Sequence, residues 1–178
     1  MHTLSQGWLL AAFFEPVGKH VANALLEQCV RQLLGAGVHV GGLVQRFGRY
    51  ANGQKRMDLV DVASGEVFEI SQNLGGQSSG CCLNQQALAH AGSVLQRTLA
   101  AGVDMLAINR YGAAEAGGGG FAAEFAQAAA LGTPIITVVG EEQRKAWAHF
   151  AADMAVELPL EATAAVHACL QRLGINTP

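Results

Sequence analysis

Apolar residues along this chain fall into short continuous runs that alternate with stretches of helical spacing. Residues 7–14 form the first run, and residues 21–34 then place Val21, Leu25, Leu26, Cys29, Val30 and Leu33 on one helical face. Gly35 and Gly37 end that helix, after which VHVGGLVQRF reads as a second strand running into a basic segment. RMDLVDVASGEVFEIS alternates about Ser64–Gly65, the pattern of a β-hairpin rather than of another strand–helix unit. After the loop NLGGQSSGCC, a helix from Asn84 to Ala101 carries Leu88, Ala91, Leu95 and Leu99 on one face, with Asn84 as its N-cap. The strand DMLAIN, a glycine loop and a helix from Phe121 to Leu131 come next. TPIITVVG is a buried strand whose Pro134 sits at the start, where no ladder donor is lost. A helix over 142–150, a strand over 155–158 and a helix over 161–173 follow.

Strands alternating with helices predict an α/β fold of three layers around a mostly parallel sheet, with the hairpin at one edge. No repeat or linker divides residues 1–178, so a single domain is expected. A chain of about 150 residues already buries roughly 70% of its unfolded surface, which leaves room for a sizeable core.

Composition adds little to the fold and more to the choice of partners. The chain is 51% hydrophobic and 14% charged, with 22 glycines, against a usual charged share of about 25%. So little charge points either to apolar surface covered in a homo-oligomer or to a large alanine-rich core. A formal charge of −3 argues against nucleic acid and anionic membranes as main partners. The run Trp8 to Phe14 is too short to span a bilayer and lacks a basic leader, and the four cysteines form no disulfide framework; the expected location is the cytoplasm. One basic segment stands out: Arg46, Arg49, Lys55 and Arg56 all lie in RFGRYANGQKR, either a solvated hairpin tip or an anion-contacting loop.

The densest candidate site is MLAINRYGAAEAGGGGFAAEF, residues 105–125. Asn109 and Arg110 emerge at the carboxyl end of a strand, where α/β proteins usually bind ligands. Gly117, Gly118, Gly119 and Gly120 either form a flexible connector or bring bare backbone N–H groups against something. Glu115 reads as a base or metal ligand, or as a helix cap, and Arg110 as a contact for an anionic ligand or a partner of Glu115. The earlier loop EPVGKH puts Gly18–Lys19 ahead of a helix, in the position of a phosphate-binding loop. A Walker A motif has glycine where this chain has Phe13 and Ser or Thr where it has His20, so the loop is degenerate, and Lys19 is left as its one cation. Cys81–Cys82 has no tetrahedral metal spacing and offers at most a single reactive or ligating thiol, Cys81.

Taken in order, GLVQR (42–46), MDLVDVASGEVFEISQ (57–72), the GC at 80–81 followed by Leu83, NRYGAAEAGGGG (109–120), GTPIITVV and AWAHF resemble the motif series of an uncharacterised bacterial family. That family is a numbered domain of unknown function associated with molybdenum metabolism. It is similar to small P-loop nucleoside triphosphatases and to the nucleotide-binding adaptor of molybdopterin guanine dinucleotide synthesis. The resemblance implies a P-loop-type sheet and a small anionic ligand, a nucleotide with magnesium or molybdate. It adds Gln45 and Arg46 of GLVQR to the binding candidates. Where the family pattern has GCR-L-D, this chain has Gly80-Cys81-Cys82-Leu83-Asn84; the lysine and arginine positions of the next motif are Ala113 and Gly119. The expected function is nucleotide or oxyanion binding with weak or no hydrolysis. The alternatives are a non-catalytic oligomeric scaffold, and a hydrolase in which Glu115 activates water.

Overall fold

The structure, a computed structural model, describes residues 7–73 and 83–175. Strands β1 (Leu10–Glu15), β2 (Val40–Arg49), β3 (Lys55–Asp61), β4 (Val67–Glu69), β5 (Met105–Tyr111), β6 (Ile135–Gly140) and β7 (Ala155–Glu157) form one sheet. Their order is β4-β3-β2-β5-β6-β1-β7. The five strands from β2 to β7 in that order pair in parallel, while β3 and β4 extend the β2 edge as antiparallel strands.

Helices α1 (Val21–Gly35) and α6 (Ala162–Arg172) cover one face, and α2 (Gln85–Ala101), α4 (Ala122–Ala130) and α5 (Arg144–Ala151) cover the other. The short helix α3 (Ala113–Ala116) lies inside the glycine-rich connection. Leu26, Cys29 and Leu33 on α1 pack with Val38, Val138 and Cys169 in the first core, as the helical spacing requires. In the second, Tyr111, Phe125, Trp147 and Phe150 form an aromatic cluster, Tyr111 and Trp147 meeting edge-on at 5.1 Å between centroids. Such pairs add about 0.5–1.5 kcal/mol beyond area burial.

The expected architecture is therefore present: a largely parallel, three-layer sheet with the hairpin at its edge. Two details sharpen the sequence reading. The segment RFGRYANGQKR forms the arms and tip of a hairpin between β2 and β3, as one of its two readings expected, with Arg49 opposite Lys55 and a turn closed by Tyr50 N–H to Gln54 O at 2.9 Å. The strand DMLAIN runs on to Tyr111 through a bulge, because Ile108 pairs with Thr137 but Tyr111 with Val139. Gly42 explains the paired glycines of β2. Its φ is +112°, and a methyl group there would overlap the Ala107 carbonyl of β5.

Candidate functional site

Parallel strands carry all their carboxyl ends to one edge of the sheet, and there the chain places most of its candidate residues. At the end of β1, Glu15 turns its side chain back over the loop 16–20. Its two carboxylate oxygens accept the N–H groups of Val21 (2.9 Å) and Ala22 (3.0 Å), the first turn of α1. Glu15 is 7% exposed. A helix N-terminus is a favourable seat for an anion, and the positive end of α1 already holds one supplied by the chain itself. Lys19 stands on the exposed turn just before, its N–H bonded to the Pro16 carbonyl at 3.1 Å.

At the end of β5, Asn109 is 2% exposed and donates its amide N–H to the Asn23 side chain of α1, which in turn donates to the Gln45 carbonyl of β2. Asn109 Oδ1 is fully buried with no hydrogen-bond partner among the described residues. Asn109, Asn23 and the Gln45 backbone thus stitch three elements together, whereas the Gln45 side chain, buried itself, lies on the opposite sheet face with Leu43 and Leu59. Arg110 is half-buried with no ion-pair partner among the described residues.

Glu115 is engaged at both oxygens. Oε2 accepts the Gly112 N–H and Oε1 the Phe121 N–H, each at 2.9 Å, so one carboxylate ties the entry of α3 to the entry of α4. Gly120 needs its glycine for this reason: φ is +53°, and a methyl group would overlap the Glu115 carboxyl. Gly118, at φ +84°, needs it for backbone reasons alone, since open space surrounds it. Part of the glycine run therefore serves close approach to an internal carboxylate. The four glycines are exposed along the connection. Burial, and secondly the Glu115 charge, hold the neighbouring Tyr111 hydroxyl above the usual tyrosine range.

A magnesium ion held in the P-loop manner does not fit these residues. The strand end offers the neutral amide of Asn109, the hydroxyl position holds His20, and Glu115 is committed to backbone N–H groups. Among the described residues no three His, Cys, Asp or Glu side chains gather as metal ligands. Cys81 lies outside the described residues.

The basic hairpin supplies a site that the sequence only half announced. A cleft of about 480 Å³ opens between the start of α1 and the β2–β3 hairpin, lined by His20, Phe47, Gly48, Arg49, Lys55 and Met57. The His20 and Phe47 rings lie 5.6 Å apart, and Phe47 is 45% exposed. Of the four clustered cations, Arg46 turns away to Glu27 of α1 at 2.8 Å, and Arg56 to Asp58 at 3.0 Å, which holds its guanidinium above its ordinary range. Arg49 bonds the Gly53 carbonyl at 2.8 Å, and Lys55 has no partner among the described residues. The sequence signal for the missing members was the aromatic residue inside the basic run; His20 could be added only by folding.

Comparison with known proteins agrees with this fold. The solution structure of a human cancer-related nucleoside triphosphatase superposes with a TM-score of 0.62 at 16% identity, over 91% of this chain and 93% of that one. The fold is thus that of a P-loop nucleoside triphosphatase, with a 7-stranded, mostly parallel sheet. A molybdenum import ATP-binding protein, ModC 2, of Bradyrhizobium diazoefficiens is 34% identical over 140 residues, which take in 78% of this chain. The chain spans only 16% of that relative's length. The family model described as a protein of unknown function, DUF2478, matches residues 10–167, and the chain belongs to that family.

Proposed function

We propose that this protein binds a nucleotide at the carboxyl end of its sheet, in the cleft beside the basic hairpin, and does not hydrolyse it. The observation that carries this reading is the pairing of a largely apolar floor, Phe47 with Met57 and the His20 ring, with the cations Arg49 and Lys55 in one cleft. An aromatic platform accepts a base by stacking, while neighbouring cations accept phosphate oxygens through charge-assisted bonds. Lys19, next to His20 in the chain, and Arg110 extend the cationic edge of the same end of the sheet. Glu15 supports the absence of hydrolysis. With its carboxylate on the α1 N–H groups, a phosphate at the ancestral seat would meet a like charge.

Glu115 serves in this reading as the tie that shapes the glycine connection, not as a base, since both its oxygens already accept backbone N–H groups. Similarity to a molybdenum import ATP-binding protein supports a place in molybdenum handling, with molybdate as the competing small oxyanion. Thermal melts with a panel of nucleoside mono-, di- and triphosphates and with molybdate test the proposal. A nucleotide that raises the Tm of the wild type, loses its effect in Phe47→Ala and Lys55→Ala, and is recovered unhydrolysed supports it. No shift with any nucleotide, or shifts unchanged in both variants, overturns it; a shift with molybdate alone reassigns the cleft to the oxyanion.

A further inference from the structure

A second recess lies between α2 and the start of α4, on the sheet face opposite α1. It encloses about 370 Å³, within the range of small-molecule pockets, and Leu88, Gly92, Ser93, Gln96, Phe121 and Glu124 shape it. Leu88, Gly92 and Gln96 follow one another at four-residue intervals, so they line one stripe of α2. Gly92 leaves the gap: even an added methyl group would only reach ordinary contact, 3.6 Å from the Phe121 ring and 3.8 Å from Glu124 Oε1.

Glu124 decides what the recess can hold. It is 8% exposed, and Gln96 Nε2 donates to its Oε1 at 3.2 Å. Its second oxygen has no hydrogen-bond partner among the described residues and is not sealed from solvent, and the residue lines the recess. No Lys or Arg lines the recess, and Glu124 makes no ion pair among the described residues. The first turn of α4 offers its dipole to this carboxylate, but a screened carboxyl with a bare oxygen still favours a cation that donates hydrogen bonds. Because Gln96 spends its N–H on Glu124, its amide oxygen is free to act as a second acceptor beside the carboxylate. Two acceptors between the apolar Phe121 and Leu88 side chains match a flat ion with edge donors and weakly hydrated faces.

We infer that this recess takes a guanidinium group, held at its edge by the Glu124 carboxylate and the Gln96 amide oxygen, against Phe121. The group belongs either to a free alkylguanidine or to an arginine side chain of a partner. The inference is independent of the nucleotide reading, since the two clefts share no residue.

The test titrates the full chain with ethylguanidinium, ethylammonium and a blocked Gly-Arg-Gly peptide, following the Gln96 side-chain amide by ¹⁵N NMR. Saturable shifts with the guanidinium probes are expected, about tenfold weaker with ethylammonium, and weakened about tenfold in Glu124→Gln. Gly92→Leu, which fills the recess while keeping the carboxylate, should abolish them, with circular dichroism confirming that both variants are folded. Tighter binding of the peptide assigns the site to a partner's arginine, and equal binding to a small guanidine. Absence of saturable shifts in the wild type, equal binding in Glu124→Gln, or equal preference for ethylammonium overturns the inference.

Discussion

Replacing Glu15 by alanine separates the structural and ligand-binding uses of the α1 N-terminus. The carboxylate makes two hydrogen bonds, at 2.9 and 3.0 Å, to the N–H groups of Val21 and Ala22. Bonds to a charged group contribute about 1.5–3 kcal/mol each; Val21 is 45% exposed, so water recovers much of its bond, whereas Ala22 is fully buried and its N–H is left without a partner. The net loss should sit at the upper end of the capping scale, about 2 kcal/mol. For a domain of this size that lowers Tm by about 4–8 °C, at roughly 2–4 °C per kcal/mol. Glu15→Ala also vacates a positive helix end, so inorganic phosphate should raise the Tm of the variant above any effect on the wild type at matched ionic strength. Calorimetry with phosphate or chloride as the added salt measures both effects. A variant within about 0.5 kcal/mol of wild type would refute the capping argument, that being the scatter of surface substitutions. Equal phosphate shifts in the two proteins would show that Glu15 does not hold the seat.

Three further outcomes follow from geometry. Gly120→Ala should destabilise more than Gly118→Ala, because the first adds an overlap with the Glu115 carboxyl to a left-handed backbone, whereas the second costs only the backbone strain of about 1–2 kcal/mol; equal urea midpoints would contradict the Glu115 tie. Gly42→Ala should abolish stable folding, judged by soluble yield and circular dichroism, since its methyl group would overlap backbone between β2 and β5. Glu161 caps α6 through the N–H groups of Ala164 (2.7 Å) and Thr163 (2.9 Å), which hold its carboxyl below the usual glutamate range. A folded value below the unfolded one gives stability above the usual range that is lost as pH falls through the folded value; the stability gap between wild type and Glu161→Ala should close over that acidic window, and a gap independent of pH would exclude the cap.

Local pattern carried the fold a long way. Runs such as Leu10 to Phe14 and Ile135 to Val139 are buried on both faces, and a continuous apolar strand needs helices over each side, which the spacing of α1, α2 and α6 supplied. Asn84 was readable as an N-cap because the capping bond, here from Ala87 N–H at 3.1 Å, spans three residues. The basic run and the strand-end position of Asn109 were readable too, being contiguous in the chain.

The partners of those residues were not readable, because each bond depends on where a distant element lands. Glu15 reaches over five intervening residues to α1, Asn109 meets Asn23 across 86 positions, and Arg46 leaves its basic neighbours for Glu27. The four glycines could be recognised as a close approach, but that the approach is partly to Glu115 follows only from how α3 and α4 turn. Hydrophobic periodicity is a local property and determined the layers and the end of the sheet where the polar residues gather. Which donor each carboxylate takes is set by side-chain reach of a few ångströms between packed elements, and only the tertiary structure decided that α1 begins on a carboxylate of its own chain.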